Sequence, residues 1–379
     1  MSVLDATQQN AKQHSAQDAS STLPSGWILP KTMRDPHGMI FGQGKFTYRV
    51  NAHWGRLDPN QTPVENCHGL DIDAKGRVVM ITDDPRNNIV IYNRDGKLLD
   101  TFSTHMPGGH SVKIVNENGE DFMYLVDSGW VKNRLWDGHS TEAWDSPYNR
   151  VVAQSGFIAK LDMSGRLLFS IGHPQTYGVY RPDQPFRPTD IAISEKGDLY
   201  VTDGYGSDFL LQYNSQGQFI RRWGGHDNSD PNYNLSNTHG IGIDTRSGAP
   251  ELIVSSRGAQ CLKRFSMTGE YLGTIDANGA YIGGPIFKGE HFYAPVCWSH
   301  IEGKNQDDSG FISVFDKHNR VVANLGGTAP EYINGQLQPM QSTWDVFNHC
   351  HGLCVDEDEN LYIGQWNANQ SYPMKLERI

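Results

Sequence analysis

The chain has no long hydrophobic run. None of its apolar stretches approaches the length of a membrane-spanning helix, which excludes an α-helical membrane protein. It also has no cluster of lysine and arginine, and its formal net charge is −11, so the electrostatic footprint of a nucleic-acid or anionic-lipid surface is missing. A small molecule is the expected partner, and nothing in the sequence speaks to oligomeric state. Cysteine is scarce and odd in number: Cys67, Cys261, Cys297, Cys350 and Cys354 lack paired metal-finger spacing, so reduced thiols in a cytoplasm are the default expectation. The first two dozen residues have neither a charged n-region nor an apolar h-region, so no secretory leader is expected. Residues 1–24, dominated by Gln, Ser, Ala and Asp, read as a flexible arm ahead of a single domain over residues 25–379.

What the chain does contain is glycine, 40 residues of it, with 11% aromatics and short apolar runs. That composition suits many short strands joined by tight turns. A unit recurs along it. HGLDID starts at His68, HSVKIV at His110, PTDIAI at Pro188, HGIGID at His239 and HGLCVD at His351, each followed by further strand-like runs separated by Gly-containing or acidic turns. A weaker copy starts near Tyr281. Six antiparallel four-stranded meanders of about 40 residues each describe an all-β, six-bladed β-propeller with blades starting near residues 68, 110, 188, 239, 281 and 351. The sixth copy stops one strand short, and the alternating stretch GKFTYRV, residues 44–50, is expected to supply that strand and close the ring. Blade two carries an insertion, roughly residues 129–155, rich in Trp, Asn, Asp and His, of a length usually functional or disordered.

In a four-stranded meander, the start of the first strand and the turn between the second and third strands lie at the same end of the sheet. With each first strand nearest the axis, the histidines that open it ring one mouth of the central channel. His110, His239 and His351 fall on blades two, four and six, which alternate around the ring and relate three imidazoles by an approximate threefold axis. Three neutral imidazoles at about 2.0–2.1 Å with one open position describe a catalytic zinc site, although other divalent first-row ions accept the same donors. The plainer alternative is that a His-Gly pair merely opens an inner strand, its imidazole bonded to a neighbouring carbonyl. His68 on blade one has three readings open to it: fourth ligand, base, or substrate contact. Trp130, Trp298, His300 and Trp366 fall in equivalent turns or adjoining loops and would wall a pocket for sugar-like or peptide-like groups.

These residues resemble propellers of the NHL-repeat type and, among them, the lyase domain of peptidylglycine α-amidating enzymes. The resemblance runs from about His68 to the end of the chain and is strongest in blades three, four and six. RPTDIAISEKGDLYVTDGYGSD looks like that lyase's blade carrying its catalytic tyrosine and implies such a role for Tyr205. HGIGID followed by SSRGAQCLKRF implies a zinc ligand at His239 and an active-site arginine at Arg257, and HGLCVDEDENLYIGQW implies zinc binding at His351. For the remaining ligand HGLDID at His68 matches the motif better, whereas blade order favours His110. Arg86, in the corresponding turn of blade one, is the candidate for the family's second arginine. The chain departs from the family at Gly206, where secreted members have a disulfide cysteine, and at Gly352, where an Asp helps hold a structural calcium, which makes calcium doubtful.

A metal, a phenol and a guanidinium at one mouth suit cleavage beside a hydroxyl-bearing carbon, with the tyrosine's pKa lowered by a nearby positive charge and the arginine holding an oxyanion. The expected function is therefore a metal-dependent lyase resembling the amidating lyase, with a divalent transition metal, zinc first. The alternatives are a metal-dependent isomerase, epimerase or hydrolase acting on a sugar-like compound, and a non-catalytic propeller that binds a partner. A gluconolactonase-type site fits less well, because it relies on acidic and amide ligands whereas the repeated positions here are imidazoles.

Overall fold

The computed structural model describes residues 35–136, 151–343 and 346–379. The proposed arm at residues 1–24 and the middle of the blade-two insertion, residues 137–150, lie outside the described residues.

Each meander begins from turn chemistry. In blade one the strands Cys67–Ile72 and Val78–Thr82 are joined by a turn in which the Asp73 carboxylate accepts the N–H groups of Lys75 and Arg77, at 3.0 and 2.8 Å. An Asp or Asn side chain thus closes the turn that glycine, at Gly76 with φ +74°, permits. Asn93, Asp162, Asn214, Asp316 and Asp356 do the same in other hairpins. The repeat's D/N-x-x-G-like punctuation is therefore a set of side chain-to-backbone hydrogen bonds.

Six antiparallel blade sheets result, with two short two-stranded ribbons beside them among the described residues, and blades one to four are four-stranded meanders. Second strands such as Val78–Thr82, Leu199–Thr202 and Glu251–Ser256 are buried at every residue, because each sheet is packed on both faces by its neighbours. Outer strands such as Leu98–Phe102 meet solvent. The fifth blade departs from the pattern. Its long strand His291–Ile301 pairs on the inner side with two short segments, Ala280–Ile282 and Ile286–Lys288, because Gly283, Gly284 and Pro285 break the inner strand. That break is why its copy is weak in the sequence.

Blade six is Cys350–Val355, Leu361–Gln365 and Met374–Arg378, completed by Phe46–Asn51 paired antiparallel to Met374–Arg378. The N-terminal strand closes the ring as its alternation predicts, and Ile40–Gln43 adds a fifth, outermost strand. Phe46, Tyr48 and Val50 are buried at this seam among Trp54, Tyr92, Tyr293 and Tyr362.

First strands line the axis and touch those of neighbouring blades. They approach so closely that a Cβ on Gly69 would lie 2.9 Å from the Val112 nitrogen, and one on Gly352 would collide with the His68 carbonyl. The glycine after His68 and His351 is thus required by packing at the axis, which leaves the histidine as the last side chain that can project there. The same contact leaves no room at Gly352 for the acidic side chain that the resemblance would associate with calcium.

Candidate metal centre and active site

Four imidazoles meet at one mouth of the channel. The rings of His110, His239 and His351 form a nearly equilateral triangle, with centroid separations of 4.8, 4.6 and 4.7 Å. His68 sits on its edge, 4.5 Å from His351 and 5.1 Å from His110. The donor nitrogens of His68, His110 and His351 all lie within 4.8 Å of one another, a spacing that one ion can bridge.

The bonding of each ring fixes what it offers. His110 donates from Nδ1 to the Thr189 carbonyl at 2.6 Å, which leaves its Nε2 a lone pair. Nε2 of His351 and Nδ1 of His68 are buried without a hydrogen-bond partner among the described residues. An unsatisfied buried polar atom costs about 1–3 kcal/mol. Two of them in one cluster, on atoms that bind metals, are what a bound ion would satisfy. Burial pushes His110, His239 and His351 well below the usual imidazole range, and neighbouring positive charge adds to the effect. They are neutral, as ligation requires. The donor set fits a divalent transition metal.

Blade three has Thr189 where blades one, two, four and six have the histidine. Thr189 is fully buried and its hydroxyl donates to the Thr238 carbonyl at 2.7 Å, so it knits blades three and four and leaves the space above empty. Tyr205 fills it. Its hydroxyl lies 3.2 Å from His110 Nε2 and 3.0 Å from His239 Nε2, and accepts from Arg257 Nη2 at 3.2 Å. Arg257 is itself buried, with Nε donating to Asn237 Oδ1 at 2.5 Å and its guanidinium 4.5 Å from the Tyr281 ring. The turn holding Tyr205 is tight. A Cβ on Gly204 would collide with the Thr238 carbonyl, and one on Gly206 with Asp203 and the Pro185 carbonyl, so no cysteine fits at Gly206. Asp203 anchors that turn through the N–H groups of Arg187 and Ser207 and the Tyr180 hydroxyl, at 2.6, 2.9 and 2.7 Å.

One electrostatic expectation is corrected. The protein alone does not lower the Tyr205 pKa: burial raises it, and the Arg257 charge only opposes that rise. In the protein by itself Tyr205 is a neutral phenol.

Above the imidazoles opens a cavity of about 1020 Å³, and below them a constriction of about 40 Å³ continues down the axis. Trp130, Trp298 and Trp366 wall the cavity with Tyr281; Trp298 and Trp366 meet edge-on at 5.7 Å. The described ends of the blade-two insertion, Trp130–Lys132 and Val151–Ala153, pair as a ribbon at its rim. His349 holds the wall from behind, with Nδ1 donating to the Trp366 carbonyl and Nε2 accepting from the Asp308 N–H.

Two expected site residues stand elsewhere. Arg86 is not on the cavity wall: its guanidinium is held by Asp84 two residues earlier, and its side chain is 63% exposed. Pro85, one residue before it, holds the turn position that Tyr205 holds in blade three. His300 is bonded through Nδ1 to Asn305 Oδ1 at 2.8 Å, and it is Asn305 that faces the cavity.

Arg187 is the residue that sequence reasoning missed. It lines the cavity with its guanidinium 4.9 Å from the Trp130 ring, and its Nε is buried without a hydrogen-bond partner among the described residues. The repeat carried the signal. Two positions before the histidine, or before Thr189 in blade three, stand Asn66, Gly108, Arg187, Asn237 and His349; the first four line the cavity, and His349 backs its wall.

No protein-family model matches the chain. It is 22% identical over 321 residues to peptidyl-glycine α-amidating monooxygenase of Mus musculus, covering 79% of this chain and 30% of the relative. It is 24% identical over 160 residues to peptidyl-glycine α-amidating monooxygenase B of Xenopus laevis (39% and 18%), and 22% identical over 159 residues to peptidyl-α-hydroxyglycine α-amidating lyase 2 of Drosophila melanogaster (38% of each). The matched regions thus span well under half the length of these relatives. Among solved structures, a gluconolactonase from Xanthomonas campestris superposes with a TM-score of 0.55 at 12% identity (94% of this chain, 99% of the other). A streptogramin B lyase does so at 0.51 and 13% (91% and 99%). These structures share the fold. The chain is a six-bladed β-propeller with distant homology to the peptidylglycine amidating enzymes and a histidine cluster able to hold a metal at its axis.

Proposed function

We propose that this protein is a metal-dependent lyase that cleaves a small substrate beside a hydroxyl-bearing carbon, in the manner named for its lyase relatives. One observation carries the reading. The Tyr205 hydroxyl touches two axial imidazoles and a buried guanidinium on the floor of an aromatic-walled cavity.

His110, His239 and His351 would hold the ion, a divalent transition metal. When bound, the ion supplies Lewis acidity that polarises an oxygen and acidifies a hydroxyl. The chain's own groups do the rest. Tyr205 relays the proton: its oxygen takes the substrate hydroxyl proton as its own proton passes to the departing nitrogen, and the bond from that carbon to nitrogen breaks as the carbonyl forms. One proton moves from oxygen to nitrogen, so neither water nor a redox partner is consumed. Arg257, held by Asn237 and Tyr281, presents Nη atoms to a carboxylate or to the developing charge. Arg187 and Trp130 form one wall and Trp298, Trp366 and Tyr281 another, which excludes water and orients the substrate.

A second reading keeps the metal and changes the reaction to isomerisation, epimerisation or hydrolysis of a sugar-like compound. The observation favouring it is the combination of tryptophan faces with the amide side chains of Asn66, Asn237, Asn305 and Asn367 around one cavity.

Metal analysis of chelator-free protein tests the enzyme reading: near-stoichiometric metal is expected, with His239→Ala reduced to background. Background metal in both samples overturns it. Turnover of an α-hydroxyglycine peptide against a panel of hydroxylated sugars and lactones then separates the two reactions.

A further inference from the structure

His68 lies outside the threefold set, yet its bonding is that of a ligand. The Asp83 carboxylate lies 3.3 Å from His68 Nε2 and is itself fixed by the Asn66 backbone and side-chain amides, at 2.8 and 2.7 Å. A carboxylate facing Nε2 favours the tautomer with its proton on that nitrogen, which leaves Nδ1 its lone pair. That Nδ1 is buried and has no partner among the described residues, and His68 belongs with His110 and His351 to a group whose donor atoms lie within 4.8 Å of one another. His110 shows the same pattern with opposite nitrogens: Nδ1 is spent on the Thr189 carbonyl and Nε2 faces the cluster. Holding a ligand's other nitrogen on a carboxylate or carbonyl is how proteins set tautomer and ring orientation at metal sites.

We propose that His68 is a fourth imidazole ligand, bound through Nδ1 and oriented by Asp83, so that this axis carries a four-histidine metal site. The inference rests on the metal-dependent reading of the same mouth. It has a consequence for metal choice. Four imidazoles complete a tetrahedral zinc and leave no open position, whereas a catalytic ion needs one. The working ion is then one that accepts a fifth or sixth ligand alongside four nitrogens, such as Co²⁺, Fe²⁺ or Mn²⁺, rather than four-coordinate Zn²⁺.

The test uses the full chain stripped by chelator and reloaded with Co²⁺ or Zn²⁺ alone. Affinity is read by competition with a chromophoric chelator, and ligation by X-ray absorption. The expected result is four imidazoles in the wild type and three in His68→Ala, with affinity weakened about 100-fold in His68→Ala and about 10-fold in Asp83→Asn. A count of three in the wild type, or affinity unchanged in His68→Ala, overturns the four-histidine site while leaving metal dependence intact. A wild-type chain that takes up neither ion overturns both. Should circular dichroism show His68→Ala unfolded, the wild-type imidazole count and Asp83→Asn decide.

Discussion

At the closure seam, Tyr48 is fully buried, its hydroxyl 3.3 Å from that of Tyr293 and accepting from Arg378 at 3.0 Å. At the axial mouth, His68 and His351 are almost as dry, at 5% and 7% exposure, yet each keeps a nitrogen with no partner among the described residues. Both regions join strands distant in sequence and both are aromatic-rich. The seam pairs the Tyr48, Tyr293 and Arg378 side chains with one another and holds the ring shut, with the Tyr92 hydroxyl beside them buried without a partner among the described residues. The mouth leaves lone pairs on two imidazoles of one cluster, where a single ion would use them.

The sharpest way to break this contrast is to remove the seam. Deleting residues through Asn51 takes away Phe46, Tyr48 and Val50, each contributing roughly 2 kcal/mol of burial, and leaves Met374–Arg378 as a bare edge. Loss of cooperative unfolding, or a Tm lower by more than ~10 °C, is expected in a thermal melt; an unchanged curve would remove the N-terminal strand from the closure. Next in size, His351→Ala should weaken metal binding about 100-fold, comparable to or beyond the loss of a group behind a ligand. The Tm of the metal-stripped protein should stay within about 2 °C of wild type. A large loss of apo stability would make the mouth structural like the seam.

Acid should find the mouth before the seam. His110, His239 and His351 are depressed in the folded state below the ordinary value of 6.5, so the unfolded chain binds more protons and stability is lost as pH falls below about 6.5. Denaturant melts of metal-stripped protein between about pH 7 and 5 should show a slope approaching three protons, reduced by about one in His239→Ala. A flat profile contradicts neutral burial of these rings. The smallest effect has the opposite sign. Burial pushes Asp203 up to about 7 despite its hydrogen bonds from Tyr180, Arg187 and Ser207. Its contribution is full below the unfolded value near 3.8 and is lost as pH rises through about 7. Asp203→Asn should remove that opposing component, seen as a steeper rise of stability between about pH 4 and 7.

The fold was legible because its determinants are local. Alternation, turn residues such as Asp73 with Gly76, and the glycine after His68, His239 and His351 recur at fixed spacing. Blade five blurred because Gly283, Gly284 and Pro285 split its inner strand. The same periodicity carried His68, His110, His239, His351 and Tyr205 to one mouth, since strand reversal alone decides which ends of a meander coincide. Arg86 was named for its turn alone, and its fork is already taken by Asp84. Arg187 was overlooked because its signal is a position in the repeat rather than a residue type.

By itself the sequence determined the number of blades, the strand that closes the ring and the identity of the axial side chains, because these follow from spacing and turn chemistry within about 40 residues. Only the tertiary structure decided which imidazole nitrogens are spent and which are left, that Thr189 vacates the space Tyr205 fills, and that Arg187 faces the cavity while Arg86 does not. Those outcomes depend on contacts between blades, such as His110 with Thr189 and Tyr205 with Arg257, whose partners no local pattern brings together.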